Sequence, residues 1–360
     1  MKESEPSDQI PTPSALPGER LSLLMEVMTR EMDRQFPLWA ILVDPPVIPQ
    51  GAFFSHWLAG KYHAGMAYLE RSADRRLSLQ AGYPGYRSLV LALLPHEASA
   101  FRGEGGAGRA EIARYAVGED YHLRFEKAYQ SVISSIREFL PHDDRPLVKP
   151  DHGALLEKSF AQMAGLGVMG KNTLLINPAL GSWFTMGCLL LKTPLVTVKG
   201  PYSGLNPCGS CTRCLSECPT DAFVAPYHLN AGRCLSYLTI ERPDDPLSVL
   251  RKESDSRWLF GCDRCQEVCP HNGAALRQGR GSVPEEPEGE ARGRFIELDA
   301  LSEDRINRFR NENSALERVS VRQMMERLLE IRGMNDKNTV PVSDREAPGR
   351  KNRESAGNSL

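Results

Sequence analysis

The sequence lacks the long apolar runs, the excess of one charge and the hydrophobic amino-terminal segment that typify membrane, nucleic-acid-coating and secreted proteins. Its longest apolar stretches, such as residues 89–94 and 188–191, are far shorter than the roughly 20 residues that cross a bilayer. With 44 Lys and Arg against 46 Asp and Glu, any nucleic-acid partner must be met by a local basic patch. Residues 1–14 are polar and acidic, so we expect a reducing, cytoplasmic setting and no membrane partner.

Cysteine is scarce, at nine residues in 360, but most of the nine follow a pattern. Cys208, Cys211, Cys214 and Cys218 precede a proline with the spacing C-x2-C-x2-C-x3-C-P, which is typical of bacterial ferredoxins. A second run, with Cys262, Cys265 and Cys269, also ends in a proline. Short spacers let a tight loop turn several sulfurs inward while backbone N–H groups point at an anionic cluster. The sequence therefore predicts two [4Fe-4S] clusters and electron transfer.

The spacing also predicts which cysteines share a cluster. In two-cluster ferredoxins the last cysteine of each run ligates the other cluster. Cys234 lies between the runs and is the natural fourth ligand where one is missing. We predict one cluster on Cys208, Cys211, Cys214 and Cys269, and the other on Cys218, Cys234, Cys262 and Cys265.

Structural zinc is the main alternative, because zinc sites also use C-x2-C pairs. Those pairs are usually separated by longer spacers, and three cysteines at consecutive two-residue spacing before Cys-Pro are not typical of zinc. Disulfides are disfavoured by the expected reducing compartment.

The length of the chain predicts two or three domains, at least one with a sizeable core. Helical and strand patterns alternate without regular β-α-β repetition, which favours the α+β class. We expect a disordered lead-in (1–18), a catalytic domain (19–199), a double-cluster ferredoxin-like domain (200–275), a linker with a short helical segment (276–333) and a disordered tail (334–360).

Apolar periodicity predicts the individual elements. Helices are expected over residues 21–36, 53–70, 121–140 and 154–164, and strands over 39–43 and 88–94. Residues 172–177 and 183–191 are predicted to form a strand pair joined by the turn 178–181. Nearer the end, helices are expected over 302–311 and 320–331, and Ser320 and Gln323 have the spacing of a capping box.

The segment Gly165-Leu-Gly167-Val-Met-Gly170 has the glycine spacing of a dinucleotide-binding loop. It follows a predicted helix and precedes a predicted strand, which is the wrong order for that fold. We interpret it as a loop, and as a candidate site, because glycine lets the backbone approach a ligand closely and Lys171 and Asn172 follow at once.

Several segments together resemble the epoxyqueuosine reductase family. The resemblance rests on residues 113–122, 155–158, 164–176 and 233–241 and on both cysteine runs, and it covers roughly residues 50 to 275. It implies a cobalamin-binding α/β domain joined to a two-cluster ferredoxin domain, with tRNA and an external electron donor as partners. The implied reaction turns the epoxide of a wobble base into the alkene of queuosine. That reaction consumes two electrons and two protons, so it needs a redox cofactor and a positioned acid.

The resemblance assigns the proton donor to Asp151, in the segment Pro150-Asp-His-Gly-Ala-Leu-Leu-Glu157. An aspartate just before a helix is also a common N-cap, whose side chain accepts backbone N–H bonds. To act as an acid near neutral pH, Asp151 must be desolvated beside the corrin, because a capping or exposed carboxylate stays ionised.

The resemblance also implies residues that contact cobalamin. The chain has no D-x-H-x-x-G motif, so the cobalt is not expected to bind a protein histidine. One sequence does not show which way a side chain points, so a surface or core role stays open for each contact. The implied contacts are Arg76, Asp151, Lys171, Asn172, Leu175, Met186, Ser236 and Asp263.

The chain departs from the family at several places. Val168 replaces an aromatic residue of the glycine loop, and Cys188 stands where an acidic residue is frequent; we expect Cys188 to be a buried, inert thiol. The carboxy-terminal region looks abbreviated compared with the family's tRNA-holding helical repeat. Its arginines either contact phosphate or, interspersed with glutamates, form a solvated helix face. They are Arg305, Arg308, Arg310, Arg318, Arg322 and Arg327.

Three functions fit these features. The first is an epoxyqueuosine reductase acting on tRNA. The second is a corrinoid and iron-sulfur reductase of a small molecule, akin to reductive dehalogenases, and the third is a noncatalytic electron-transfer protein. Asp151 and the glycine loop argue against the third, because a simple ferredoxin needs neither.

Overall fold

The computed structural model describes residues 16–96, 100, 108–202, 204, 206–242, 257–277, 293–299 and 301–338. Most of the predicted lead-in and linker, and the tail from residue 339, lie outside the described residues. The predicted α+β class is confirmed. The strands are β1 (Leu38–Val43), β2 (Ser88–Pro95), β3 (Arg109–Ile112), β4 (Leu147–Lys149), β5 (Val168–Met169), β6 (Leu175–Ile176), β7 (Phe184–Leu191), β8 (Phe223–Ala225), β9 (His228–Leu229), β10 (Trp258–Phe260) and β11 (Phe295–Glu297). The α-helices are α1 (Gly18–Gln35), α2 (Gly51–Ala59), α3 (Ala67–Arg71), α4 (Leu79–Gly82), α5 (Tyr121–Ile136), α6 (Glu157–Met163), α7 (Arg213–Ser216), α8 (Arg264–Glu267), α9 (Pro270–Arg277), α10 (Glu303–Glu312) and α11 (Val321–Asn338).

The largest sheet has the strand order β1-β2-β7-β4 and is antiparallel throughout. Strand β2 is buried along its whole length. Successive side chains point to opposite faces of a strand, so β2 serves two cores. Val90, Ala92 and Leu94 pack on one face with helices α1 and α5. Leu89 and its alternate neighbours pack on the other face with α6, which makes this part of the molecule a three-layer structure.

Helices α1 and α5 confirm the predicted helices over residues 21–36 and 121–140. Leu24, Met28 and Met32 lie at i, i+4 spacing on the buried face of α1. On α5, Phe125 and Tyr129 occupy the same core. The helix ends at Ile136 and continues as a short 3-10 turn, so its predicted end was a few residues too late. No helix in the described part of the chain is long and apolar enough to cross a bilayer.

The single helix predicted over residues 53–70 is wrong, because α2 and α3 are separate. Between them Lys61 and Ala64 have positive φ angles of 56° and 53°, which a right-handed helix does not contain. The carbonyl of Tyr62, in the same loop, accepts the N–H of Ala231 at 2.8 Å. A contact with the cysteine-rich region therefore replaces the helical hydrogen bonding that local periodicity favours.

The predicted strand pair over residues 172–191 is also wrong. Strand β6 pairs with β5, whereas β7 pairs with β2 and β4 in the large sheet. The expected turn is present, because the backbones of Asn177 and Gly181 exchange hydrogen bonds of 2.7 and 2.8 Å. The turn sends the chain from one sheet into another instead of closing a hairpin, and strand pairing at this distance is set by tertiary packing.

A third core joins three parts of the chain. Strand β3 lies between β10, from the cysteine-rich region, and β11, from the carboxy-terminal segment. Ile112, Phe260, Phe309 and Leu328 are among the side chains that this core buries. The predicted domain boundaries stay predictions, but residues 293–331 contribute to a shared core and not to an isolated helical segment. The expected tail begins as helix, because α11 extends to Asn338.

The carboxy-terminal arginines have several roles. The predicted capping box is confirmed, since Ser320 and Gln323 exchange side-chain to backbone hydrogen bonds of 3.0 and 3.2 Å. Arg310 donates to carbonyls of the turn that follows α10, and buried Arg327 donates to the Trp258 carbonyl at 3.2 Å. Arg322 forms an exposed pair with Glu326, as a solvated face predicts. The six arginines therefore do not share a phosphate-binding role.

Candidate active site and two cysteine sets

Four of the predicted ligands gather at one place. Cys208, Cys211, Cys214 and Cys269 line a single cavity. Burial raises the pKa of Cys214 to about 11, and the three other sulfurs add to that rise, so all four lie within electrostatic reach of one another. This grouping is the one that the crossover rule predicts for the first cluster.

The remaining four predicted ligands form a second set. Burial raises the pKa of Cys262, and Cys234 and Cys218 add to the effect. Burial likewise raises the pKa of Cys265 well above its usual value, with Cys262 and Cys234 contributing next. Buried thiolates are costly without a neighbouring positive charge, and iron supplies that charge when a cluster binds, with release of protons.

Backbone N–H groups point at the sulfurs of both sets. The N–H of Lys171 donates to Cys208 Sγ at 3.4 Å, and that of Ala222 donates to Cys218 Sγ at 3.3 Å. Cys234 accepts hydrogen bonds from the backbone of Ser236 and of the residue after it. Such N–H to sulfur bonds suit anionic iron-sulfur clusters, whose potentials they tune.

The described residues contain no group of three or more His, Cys, Asp or Glu side chains arranged to hold one metal ion directly. In a cubane each cysteine binds a different iron atom, so the four sulfurs need not converge as they must around a single zinc ion. The donor chemistry and the two sets of four fit a pair of [4Fe-4S] clusters.

Asp151 lies in the loop between β4 and α6, and its side chain is exposed. The hydroxyl of Tyr121 donates to Asp151 Oδ2 at 2.8 Å. Asp151 has a φ of 68°, in the left-handed region, which costs a non-glycine residue about 1–3 kcal/mol. The N-cap of α6 is Leu156, not Asp151, so the capping interpretation of Asp151 is wrong. The strained loop directs the carboxylate to Tyr121 instead.

Helix α6 begins with two charged residues that face Asp151. Glu157 Oε1 accepts the backbone N–H of Asp151 at 3.1 Å. Burial, followed by the neighbouring Asp151 carboxylate, raises the pKa of Glu157 well above its usual value. Lys158 Nζ donates to the Thr173 carbonyl at 2.9 Å, and burial lowers its pKa even though Asp151 and Glu157 favour its charge.

Lys158 also connects this loop to the second cysteine set. Cys265, like Asp151 and Glu157, favours the charged form of Lys158. Lys158 is therefore within electrostatic reach of both the Asp151 loop and the second cysteine set. Cys214 and Cys269 of the first set are less deeply buried than Cys265.

The carboxy-terminal segment supplies one side chain to the site. The guanidinium of Arg318 lies over the ring of Tyr121, 5.7 Å from its centre. Its Nη2 atom is also 2.7 Å from His122 Nδ1, which in turn contacts Asp120. Burial and Asp151 both raise the pKa of Tyr121, so its hydroxyl stays protonated as a donor. A chain of contacts thus runs from Arg318 through Tyr121 to Asp151.

Arg76, Ser236 and Met186 are three of the expected cobalamin contacts. Arg76 donates to Ser72 Oγ at 2.8 Å, and its guanidinium lies 5.8 Å from the ring centre of Tyr68. Burial raises the pKa of the Tyr68 hydroxyl, Asp151 adds to that rise and Arg76 opposes it. Ser236 adjoins the second cysteine set through Cys234. Met186 lies on β7, partly buried against the α6 face of the sheet.

The other expected contacts have different surroundings. Lys171 Nζ donates to the carbonyls of Gly209 and Cys211 at 2.7 and 3.0 Å, so it fastens the first cysteine loop. Asn172 lines the cavity of that loop, and Leu175 is buried in the core behind it. Their contact with cobalamin stays a prediction.

Asp263 anchors the second cysteine loop. It is 1% exposed, and its Oδ2 accepts the backbone N–H of Arg114 at 2.8 Å. The guanidinium of Arg114 bridges Asp263 and Glu267, and Arg294 reaches Glu267 at 3.0 Å. Removing one member of such a buried network typically costs about 3–5 kcal/mol. The expected contact of Asp263 with cobalamin stays a prediction beside this structural role.

The glycine loop is used for packing within the fold. A Cβ on Gly165, which has a φ of 76°, would lie 2.3 Å from the Gly200 carbonyl oxygen. A Cβ on Gly167 would lie 2.6 Å from the Ile176 carbonyl oxygen. These glycines are required by close backbone contacts, whatever ligand lies nearby.

Cys188 is buried, as the sequence predicts. It lies on β7 opposite Leu91 of β2 and Lys149 of β4, on the face that packs against α6. Burial raises the pKa of its thiol well above the usual value, and Glu157 and Asp151 add to the effect. A thiol of this kind is an unreactive core group.

Sequence reasoning did not assign Tyr121 and Glu157 to the site, and it named Arg318 only among arginines that either contact phosphate or form a solvated helix face. Tyr121 and Glu157 both fall in segments that carry the family resemblance, which is a signal that they matter. Their roles depend on a loop that folds back on itself, and that geometry is invisible in local spacing. Arg318 comes from the carboxy-terminal segment, nearly two hundred residues after its partners.

Two family models match parts of this chain. Residues 207–272 match the family described as a 4Fe-4S double cluster binding domain, and residues 76–148 match the family described as epoxyqueuosine reductase QueG, DUF1730. Two [4Fe-4S] clusters are thus the cofactors of the cysteine-rich region.

Curated relatives and solved structures carry the same name. An epoxyqueuosine reductase of Gloeobacter violaceus is 37% identical over 268 residues, which span 73% of this chain and 81% of the relative. One of Pseudomonas aeruginosa is 39% identical over 234 residues, which span 64% of this chain and 63% of the relative. A crystal structure of epoxyqueuosine reductase with an epoxyqueuosine-modified tRNA-Tyr stem loop has a TM-score of 0.70 at 21% identity, covers 88% of this chain and 82% of its own, and shares the fold. A Bacillus subtilis structure whose catalytic loop is swung out of the active site has a TM-score of 0.69 at 20% identity, with the same coverage. This chain is a member of the epoxyqueuosine reductase family, and so an oxidoreductase.

Proposed function

We propose that this protein reduces epoxyqueuosine to queuosine in tRNA, with Asp151 as the proton donor and two [4Fe-4S] clusters as the electron path. The observation that carries the proposal is the place of Asp151, which Tyr121 holds and which shares the electrostatic reach of Lys158 with Cys265 of the second cysteine set. Membership in the family supports the reaction. A tRNA substrate and thiolate ligands both fit a reducing, cytoplasmic setting.

The two cysteine sets are proposed to work in sequence. The first set, on Cys208, Cys211, Cys214 and Cys269, lies nearer the surface and would receive electrons from an external donor. The second, on Cys218, Cys234, Cys262 and Cys265, is more deeply buried and adjoins Lys158. Burial of the second set would shield its cluster from water.

Asp151 is proposed to protonate the oxygen that leaves the epoxide, once bound cobalamin and tRNA cover its exposed side chain and disfavour its charge. The Tyr121 hydroxyl occupies Oδ2, so the proton is passed from the other carboxyl oxygen. After the transfer the hydrogen bond from Tyr121 stabilises the new carboxylate, because hydrogen bonds to ionised acceptors are the stronger ones. Lys158, close by, adds a favourable charge for the same carboxylate.

Cobalamin is proposed to bind between Asp151 and the second cysteine set. Tyr68, Arg76, Asp151 and Lys158 bring polar groups to this place, and Ser236 adjoins it from the cysteine-rich side. These donors and acceptors fit the amide-rich rim of a corrinoid. When bound, cobalamin supplies a low-potential cobalt that accepts single electrons and delivers them to substrate carbon.

The tRNA is proposed to approach over the rim formed by His122, His152 and Arg318. The rings of His122 and His152 are 5.7 Å apart, and the Arg318 side chain is 36% exposed. A guanidinium and imidazoles beside the acid suit the phosphates around a wobble base. The related structure that contains a tRNA stem loop supports this partner.

Nucleoside analysis tests the function. A strain that lacks this gene should accumulate epoxyqueuosine in its tRNA, and the wild-type gene should restore queuosine. The Asp151→Asn protein should keep its iron content but fail to restore queuosine, because the amide has no acidic proton to donate. Normal queuosine in the deletion strain would reject the tRNA reaction, and full restoration by Asp151→Asn would reject the proton donor.

A further inference from the structure

The loop that carries Asp151 does not favour its own conformation. Asp151 is a non-glycine residue in the left-handed region, and its side chain is exposed. A strained residue keeps such a conformation only where the surrounding structure holds it. The contacts that hold the loop therefore also decide where the Asp151 carboxyl points.

Two contacts hold Asp151, one through its side chain and one through its backbone. Tyr121 binds its side chain at 2.8 Å, and Glu157 Oε1 accepts its backbone N–H at 3.1 Å. Glu157 is the first residue of α6, a helix anchored in the core by Phe160 and Ala161. The Glu157 carboxyl thus ties the backbone of a strained loop to a rigid element.

The surroundings of Glu157 disfavour its negative charge. Asp151 faces it from the loop and Cys188 from β7, while Tyr83 lies near it after α4. Arg76 and Lys158 are the cations that face it, and burial with the Asp151 carboxylate outweighs them. A neutral carboxyl still accepts an N–H bond, and it does so without repelling Asp151.

We propose that Glu157 is a positioning residue, whose Oε1 holds the Asp151 loop in its working conformation by accepting the backbone N–H of Asp151, a role that needs the acceptor and not the charge. The inference rests on the proposed function in one respect, namely that Asp151 is the acid of the reaction. It adds a second carboxyl to the site, one that acts on the backbone of the first and does not touch the substrate.

The test compares Glu157→Gln with Glu157→Ala in the full-length, iron-loaded protein. Glutamine keeps an oxygen acceptor without a charge, and alanine removes the acceptor. Glu303→Ala is the matched control, because Glu303 is the exposed first residue of α10. The two readouts are hydrogen-deuterium exchange of the peptide over residues 147–156, without substrate, and kcat and KM on an epoxyqueuosine-modified tRNA stem loop.

Glu157→Ala should raise exchange of the loop about tenfold and lower kcat about 30-fold, with KM changed less than about threefold, because a misplaced acid slows the chemical step more than binding. Glu157→Gln and Glu303→Ala should stay within about threefold of wild type in both readouts. Glu157→Leu, which keeps the bulk of the side chain and removes the acceptor, replaces the alanine variant if that variant loses its iron.

Either of two results would overturn the inference. Unchanged loop exchange and kcat in Glu157→Ala or Glu157→Leu would show that another contact holds the loop. Equal loss in Glu157→Gln and Glu157→Ala would show that the charged form is needed. A wild-type protein with a protected loop but no turnover of epoxyqueuosine would remove the proposed function instead, and loop exchange in the variants would then decide the role of Glu157 alone.

Discussion

Tyr121→Phe removes one hydroxyl from the candidate site and keeps the ring. The ring is 6% exposed and packs edge-on against Tyr115, with centroids 6.1 Å apart, so the variant should fold normally. The lost hydrogen bond joins Tyr121 to Asp151 Oδ2 at 2.8 Å. Hydrogen bonds to charged groups contribute about 1.5–3 kcal/mol, and the lower end applies because water reaches the exposed Asp151. We expect kcat to fall about tenfold, since each 1.36 kcal/mol is a factor of ten in rate.

The assay is single-turnover and steady-state reduction of an epoxyqueuosine-modified tRNA stem loop. Tyr129→Phe is the control on the same helix, because the Tyr129 hydroxyl donates to the Gly187 carbonyl at 2.9 Å in the core. The control should lower the free energy of unfolding by about 1 kcal/mol and leave kcat unchanged. Full activity of Tyr121→Phe, or an equal loss of kcat in Tyr129→Phe, would refute the reasoning.

Three further predictions concern the clusters, the pH dependence and the backbone. Cys234→Ser should lower bound iron from about eight to about four atoms per chain, while Cys188→Ser retains about eight, as measured by iron analysis after anoxic reconstitution; equal iron in both would contradict the ligand sets. Hydrogen bonds from Gln35 and then Ser131 lower the pKa of Glu31 below 4.5, so the stability that Glu31 contributes is present above pH 4.5 and is lost as the pH falls through the lowered pKa. Glu31→Gln should therefore lower the free energy of unfolding by about 1 kcal/mol at pH 7 and by little at pH 3, as measured by denaturant unfolding. A loss that does not depend on pH would reject this origin. Gly181→Ala places a Cβ 2.1 Å from Asn272 Oδ1 at a residue with positive φ, so this variant should melt at a clearly lower temperature than Gly85→Ala. Gly85 also has a positive φ, but a Cβ there has no atom within 4 Å. Equal melting temperatures would show that the clash at Gly181 relaxes freely.

The cysteine pattern shows how much of the site was predictable. Spacing within each run is local, and a two-residue spacer brings sulfurs together in almost any fold, so two clusters could be predicted from the sequence. The grouping of Cys218 and Cys234 with the second run needed the ferredoxin rule. In the structure Cys208, Cys211, Cys214 and Cys269 line one cavity, as expected for the first group, and the ligand assignment of all eight cysteines stays a prediction.

The arrangement around Asp151 was less predictable. Its position before a helix suggested an N-cap, and only the folded loop shows that Leu156 takes that place. Tyr121 and Glu157 contact Asp151 from two separate elements, and Arg318 contacts Tyr121 from a third part of the chain. No local pattern contains such a meeting, because side chains that are distant in sequence are brought together by packing.

The sequence alone determined the redox chemistry, the α+β class and the long amphipathic helices, because ligand spacing and 3.6-residue periodicity are written in neighbouring residues. Only the tertiary structure decided that β7 leaves β6 for the large sheet, that the carboxy-terminal segment completes a core with β3 and β10, and that a strained loop turns Asp151 toward Tyr121. Those outcomes depend on which buried surfaces fit one another across the whole chain, and local propensity is too weak to fix them.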